Sequence, residues 1–438
     1  MRQYKSYKAS EKGWIREIPS EWDIIKIKFT DKLIMGQSPD SKDVTNFEKG
    51  LPFLQGNAEF TETHPIPENW CETPNKTAIE GDLLLSVRAP VGEINVSNQT
   101  FGIGRGLCAI RPKKNLGKFL YYVLLVSKEE LNKYASGSTF TAITMQNLNN
   151  IFIPKVSKDE QIQIVKYLDF KTELIDGFIA NRQKQIDLLK EQLRKKIFTA
   201  LTKGLSNKDF KTSDLPWFTE IPVNWEMYKF NAAIKLLHGF QFRDNHFKEQ
   251  GVKVAKITQL KADGSLDLSE ASLVDEKFLI TLKKKIIKNG DILMALTGGT
   301  IGKIIRVENL EEEVLQNYRV GKFVPKDTKT LDKDFMFWVL SSEFTFAQIL
   351  FLQRETGQPN IGIGDFSKMF FPMPDTLEEQ REIAAYIIEQ KNETNTLISK
   401  YQKQIDLMQE YRTAIISQAV TGKIDVRDWQ PKTKEVLS

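Results

Sequence analysis

The chain repeats itself, and that repeat constrains its fold more than any other feature. Trp14, Ile18-Pro19 and Trp22 return as Trp217, Ile221-Pro222 and Trp225, each displaced by 203 positions. Gly81-Asp82-Leu83-Leu84 returns as Gly290-Asp291-Ile292-Leu293 after 209 positions, and Gly137-Ser138-Thr139 aligns with Gly357-Gln358-Pro359 after 220. Gln183-Lys184-Gln185-Ile186-Asp187-Leu188 recurs unchanged at Gln402-Lys403-Gln404-Ile405-Asp406-Leu407. Short loop insertions produce such a slow drift in displacement. One structural unit is therefore encoded twice.

Each copy has a mixed part and a helical part. The mixed parts, about 1–155 and 206–374, carry glycine, proline and aromatic residues around short apolar runs. Residues 82–87, 106–111, 292–296 and 320–324 are predicted strands bounded by Gly or Pro. Residues 119–127 and 335–341 are predicted short helices. The helical parts open on Ser157-x-x-Glu160 and Thr376-x-x-Glu379, capping boxes that satisfy the free amides of a first turn. About 45 proline-free residues follow each box. Ile164, Leu168, Ile175, Ile179, Ile186, Leu189 and Leu193 form one stripe at helical spacing. Ile383, Ile387, Leu397, Ile398, Ile405 and Met408 form its twin. Each helix is expected to end near a glycine, Gly204 or Gly422. Gly177 marks a kink or a close packing contact inside the first. At ~1.5 Å per residue such helices are roughly 65 Å long. Each stripe needs a partner, and the other helix, antiparallel, is the economical one.

Composition excludes some classes. With 438 residues and 41% hydrophobic content, a folded protein of more than one domain is expected. The longest apolar run, 119–126, is too short to span a bilayer, and no secretory leader is read in the first residues. Cys71 and Cys108 form neither a CxxC nor a disulfide framework. A cytoplasmic location and no membrane follow as expectations. The net charge of +5 is too weak to announce nucleic acid by itself, and residues 204–375 balance 23 basic against 23 acidic side chains. The three histidines, His64, His238 and His246, have no metal-ligand spacing. Gly298-Gly299-Thr300-Ile301-Gly302-Lys303-Ile304 fails as a phosphate loop, because Thr297 stands where the first glycine belongs and Ile304 where Ser or Thr must follow the lysine. No nucleophile–base set, nuclease carboxylate pattern or adenine-methyltransferase tetrapeptide is present in the sequence.

The order of domain, long helix, domain, long helix resembles the specificity subunit of type I restriction-modification systems across the whole chain. The motifs that carry this are Ile18-Pro19-Ser20-Glu21-Trp22 with Ile221-Pro222-Val223-Asn224-Trp225, and the Gly-Asp-Leu-Leu strands. Gly239-Phe240-Gln241-Phe242-Arg243 and the helix starts at Glu160-Gln161 and Glu379-Gln380 complete the set. The resemblance implies an α+β chain with two similar α/β target-recognition domains (1–155 and 206–374). These would be separated by two long antiparallel coiled-coil helices (156–205 and 375–425) as a pseudo-two-fold internal repeat, with a tail at 426–438. It implies a non-catalytic subunit without cofactor or metal of its own, in which each domain reads one half of a bipartite double-stranded DNA target. The helices would set the spacer and dock two methyltransferase subunits that use S-adenosylmethionine. Two restriction subunits would use ATP and Mg. A coiled-coil scaffold with two domains that bind something other than DNA is the alternative.

Polar residues on glycine-marked loops are the candidate DNA contacts: Gln37, Arg88, Arg105, Ser138 and Thr139 in the first half, and Gln241, Arg243, Lys256, Gln358 and Asn360 in the second. Arginine pairs with guanine in bidentate fashion, and Asn or Gln pairs so with adenine. The same side chains also serve on phosphate. Trp22 and Trp225 are assigned to the core.

Overall fold

The computed structural model describes residues 2–135, 142–206, 209–356 and 360–431. Two compact units emerge, one from 1–184 with 401–438 and the other from 185–400. Each takes one stretch of either long helix.

In the first unit, the strands predicted at 82–87 and 106–111 fall in the first of two larger sheets. A four-stranded antiparallel sheet has the order Ile94–Val96, Leu83–Ser86, Leu107–Arg111, Lys32–Met35. A five-stranded sheet runs Val44–Thr45, Asn69–Cys71, Leu51–Leu54, Phe101–Ile103, Thr77–Ala78. Its central pair is parallel, with Ile103 opposite Leu54. Asp82, from the Gly-Asp-Leu-Leu motif, receives both Nε and Nη2 of Arg111 at 2.9 and 2.8 Å.

The second unit rebuilds this plan. Its four-stranded sheet runs Ile234–His238, Val320–Pro325, Ile292–Ala295, Ile304–Arg306. Its five-stranded sheet runs Phe247–Lys248, Ser272–Val274, Val252–Ala255, Val314–Gln316, Ile286–Ile287. Asp291 takes Lys322 at 3.1 Å where the first unit has the Asp82–Arg111 pair. The segment rejected as a phosphate loop is a short turn, Gly298–Thr300, between two of these strands.

The first long helix is Lys158–Lys203, 46 residues, and the second Leu377–Val420, 44 residues. Gly204 and Gly422 follow them with φ of +76° and +72°, the left-handed conformation that ends a helix at least cost on glycine. In the first unit the two helices run antiparallel: Asp176 meets Arg412 at 2.8 Å, and Arg182 stacks over Tyr401. In the second unit Lys196 meets Gln390 and Gly204 lies beside Glu379, again antiparallel. Ile164, Leu168, Ile175, Ile415 and Ile416 join Trp22 in the first core, and Ile383 and Ile387 join Trp225 in the second. Ile186 and Ile405 are both buried.

Three sequence expectations need correction. Leu397 is 40% exposed; Thr394, Ile398 and Ile405 hold the inward face, and Leu397 falls off that line. Gly177 lies in an unbroken helix, and a Cβ added there would meet nothing within 4 Å, so no packing contact requires glycine. Only the hydroxyl half of the first capping box forms as expected. Ser157 accepts from the Glu160 amide at 3.4 Å, but the Glu160 carboxylate accepts from the Tyr4 hydroxyl at 2.5 Å instead of turning back to the cap.

The glutamines beside those acids act as latches. Gln161 Oε1 accepts the Leu116 amide at 2.8 Å, and its Nε2 donates to Asn115 and to the Val156 carbonyl. Gln380 Oε1 accepts the Asp332 amide at 2.8 Å, and its Nε2 donates to the carbonyls of Thr330 and Pro374. Leu116 and Asp332 are the caps of the short helices Gly117–Val126 and Lys333–Leu340. One buried amide thus fastens each mixed domain to the start of its long helix.

Candidate nucleic-acid interface

The candidate site begins with a close backbone approach. A Cβ on Gly36 would stand 2.1 Å from the Gly104 carbonyl oxygen, and one on Gly239 would stand 2.1 Å from the Gln316 carbonyl. No side chain fits at either place, so glycine lets the loop lie against the neighbouring turn. In the first unit Gln37 N donates to Ile103 O, Gly104 N to Leu54 O, Gly106 N to Gln55 O and Val87 N to Gly106 O, all at 2.8–3.1 Å. Four loop segments, at 36–38, 55–56, 87–88 and 104–106, are stitched into one surface. Gln37, Arg88 and Arg105 stand exposed on it. Ser138 and Thr139 lie outside the described residues. The chain beyond them returns to the same place, since Ala142 pairs with Arg88 and Ile143 N donates to Val87 O.

The second unit repeats the stitching with other side chains. Phe240 N donates to Gln316 O, Tyr318 N to Phe240 O, Asn317 N to Ala255 O and Leu296 N to Arg319 O, at 2.9–3.1 Å. A cleft of about 400 Å³ opens here, lined by Gln241, Phe242, Asp244, Phe247, Lys256, Ile257, Thr258, Asn317, Tyr318 and Arg319. Gln241 and Lys256 are brought together in it. Arg243 stands exposed beside Phe242, and its amide is held by His246 Nδ1. The Lys256 ammonium is engaged, donating to Ser272 Oγ at 2.8 Å above the Phe247 ring. Asn360 is exposed and bridges to Thr297, as Ala142 does to Arg88. Gln358 lies outside the described residues.

Some residues on these surfaces were not anticipated. Gln55 is exposed and ties its Nε2 to Ser38 Oγ, while Asn75 donates to the Ser38 carbonyl. Tyr318 is 48% exposed and stacks on His238 with centroids 4.8 Å apart. Arg319 is exposed beside it. The repeat held the signal for the last two: strands 107–111 and 320–325 align, so Asn317-Tyr318-Arg319 stands where Gly104-Arg105-Gly106 stands in the first unit. Gln55 and Asn75 gave no local signal.

Among the described residues, Arg88, Arg105, Arg243 and Arg319 have no carboxylate within ion-pair distance, so their guanidinium groups are available to an anionic or hydrogen-bonding ligand. Among the same residues no group of His, Cys, Asp and Glu is placed to hold a metal ion, and no single helix is long and apolar enough to cross a membrane. Burial pushes the Cys108 thiol up to about 12, which leaves it a packing residue.

Two copies of one α/β frame, each presenting polar and cationic groups from interlocked loops, define a two-site binding protein. Comparison with known proteins says what kind. Residues 19–190 and 222–407 match the family described as type I restriction modification DNA specificity domain. The chain is 29% identical to the type I restriction enzyme MjaVIII specificity subunit of Methanocaldococcus jannaschii, over 98% of both chains. Its fold is similar to a chain of the solved structure described as "Structural basis underlying complex assembly and conformational transition of the type I R-M system", with a TM-score of 0.69 at 16% identity, covering 93% of this chain and 99% of that one. The HsdS subunit of Thermoanaerobacter tengcongensis aligns with a TM-score of 0.51 at 16% identity, covering 95% and 100%. The chain belongs to the type I restriction-modification DNA specificity family. The scaffold alternative finds no support.

Proposed function

We propose that the domains at 1–155 and 206–374 each read one half of an asymmetric, bipartite double-stranded DNA target, through the stitched loop surfaces. The observation that carries this reading is a shared backbone frame with unlike side chains at matched positions: Arg105 against Tyr318, Gln55 against Lys256, Gln37 against Phe240. A shared frame places the loops alike on the duplex, and unlike side chains select unlike bases. Gln37, Arg88, Arg105, Ser138 and Thr139 serve the first half-site. Gln241, Arg243, Lys256, Gln358 and Asn360 serve the second, with Tyr318 and Arg319 added to them.

The chain acts in the cytoplasm as the non-catalytic member of a complex with two methyltransferase and two restriction subunits. Those partners bring S-adenosylmethionine, ATP and Mg. The long helices set the unspecified spacer and dock the methyltransferases. Continuous helices of 46 and 44 residues support this, because a helix has a fixed rise per residue.

The test is methylome sequencing of cells carrying the chain with its methyltransferase partner. Arg105→Ala should relax one position in one half of the methylated motif, and Tyr318→Ala one position in the other, each losing about 1–3 kcal/mol of discrimination. Relaxation of the same half by both substitutions would refute the assignment.

A further inference from the structure

Both units connect the second and fifth strands named in their five-stranded sheets, and the two connections differ. In the first unit residues 72–76 suffice, with Lys76 as their one cation. In the second, residues 275–285 make a short helix, Lys277–Thr281, and a tight turn, Lys283–Lys285. This insertion is fastened to the candidate interface at two points. Phe278 packs against Phe240, Phe242 and His246, with centroids 5.8, 5.5 and 5.4 Å away. The Lys285 ammonium donates to the carbonyl of His238, the residue before Gly239 and the one on which Tyr318 stacks.

The three lysines are not equivalent. Lys285 is spent on that anchor. Lys283 and Lys284 are exposed, and among the described residues neither has a carboxylate within ion-pair distance. The acids at the start of the insertion do not neutralise them: Asp275 pairs with Lys277 at 3.2 Å and caps the turn. The even charge balance of the second domain thus conceals two unspent cations on a rigid arm beside the recognition loops.

We infer that Lys283 and Lys284 form a phosphate clamp, gripping the DNA backbone flanking the half-site that the second unit reads. The inference depends on the proposed DNA reading of that loop surface. Lysine suits the task because its ammonium is a point charge that meets phosphate without demanding a base pattern. The insertion adds affinity and orientation to the second unit alone and adds no sequence information.

Salt dependence separates this role from others. The purified complex with its methyltransferase partner would be titrated on a duplex carrying the methylated motif and on an unrelated duplex, over a range of salt. Each phosphate contact contributes about 0.9 to the slope of log affinity against log salt. Lys283→Ala with Lys284→Ala should make the slope shallower by about 1.8, weaken both duplexes by the same factor and leave the methylated motif unchanged. Lys283→Arg with Lys284→Arg should restore the slope, which excludes misfolding as the cause. An unaltered slope in the alanine variant would overturn the clamp. So would a changed motif, which would make the lysines base readers. Failure of the unsubstituted complex to prefer its motif over the unrelated duplex would instead sink the DNA reading beneath it.

Discussion

The indole Nε1 of Trp225 donates to Oε1 of Glu379 across 3.0 Å, joining residues 154 positions apart at the root of the second recognition domain. Trp22, its repeat partner, is 2% exposed, and its buried indole nitrogen has no hydrogen-bond partner among the described residues. In that unit Tyr4 takes the matching glutamate, Glu160. Phenylalanine at either position removes the same ring volume, so the comparison sets the loss of a made hydrogen bond against the removal of an unmade one. Trp225→Phe should destabilise its unit by about 1–2 kcal/mol more than Trp22→Phe destabilises the other. Hydrogen exchange, followed separately in the two units, measures both. Equal losses would show that the Trp225–Glu379 bond contributes nothing net.

The glutamine latches predict a larger effect. Gln380 is fully buried and satisfies one amide and two carbonyls. Gln380→Ala orphans these groups and should cost about 2–4 kcal/mol. Gln161→Ala should act alike in the first unit. Amide exchange at Asp332 and Leu116 should rise in the respective variants. A loss below about 0.5 kcal/mol would show that water replaces the latch.

Gly177→Ala should stabilise the chain by about 0.5–1 kcal/mol, since the added methyl meets nothing and helix propensity rises. Thermal unfolding would detect it. A destabilised variant would contradict the open space found around Gly177.

Acid should loosen the segment after the second long helix. Hydrogen bonds from Arg427 hold the Asp425 carboxyl below its usual range, and that side chain is 4% exposed. A depressed carboxyl stabilises the folded form above the ordinary carboxylate pKa of about 3.9, and the contribution is lost as pH falls through the depressed value. Asp425→Asn should therefore cost about 1–2 kcal/mol near pH 7, and the difference should shrink as pH falls through the depressed value. Denaturant melts of both proteins across pH supply the check, and a pH-independent difference would contradict the account.

Much of the frame was legible because local sequence dictates it. Glycines mark the helix ends, and the repeated Gly-Asp pair precedes a buried strand in both units. The Trp and Ile-Pro pairs fall in matching hairpins, Tyr7–Lys12 with Ile15–Pro19 and Phe210–Leu215 with Phe218–Pro222, which those motifs did not announce. The functional surface was less legible. That Gln37 and Arg105 stand exposed on loops was readable from flanking glycines, but Gln55 reaches the same surface through a parallel pairing between strands about fifty residues apart, which no local pattern encodes. Lys256 was read as a candidate DNA contact, and no local pattern showed that Ser272 and Phe247 engage its ammonium. The roles of Gln161 and Gln380 were hidden too, because their partners lie in loops far off in sequence.

The ruler role of the helices can be tested apart from base reading. Matched insertions of one turn, about four residues, after Lys184 and Lys400 lengthen both helices by ~5.4 Å, against a rise of ~3.4 Å per base pair. The spacer of the methylated motif should lengthen by about one or two base pairs, with both half-sites unchanged. An altered half-site with a fixed spacer would reduce the helices to connectors.

The most direct test of the central claim is a domain exchange read by methylome sequencing. Residues 1–155 would be replaced by the corresponding domain of a relative with a different target, and the chain expressed with its methyltransferase partner. One half of the methylated motif should change to the donor's, while the other half and the spacer stay as they were. A motif altered in both halves, or unaltered in either, would contradict a chain in which each domain reads its own half-site.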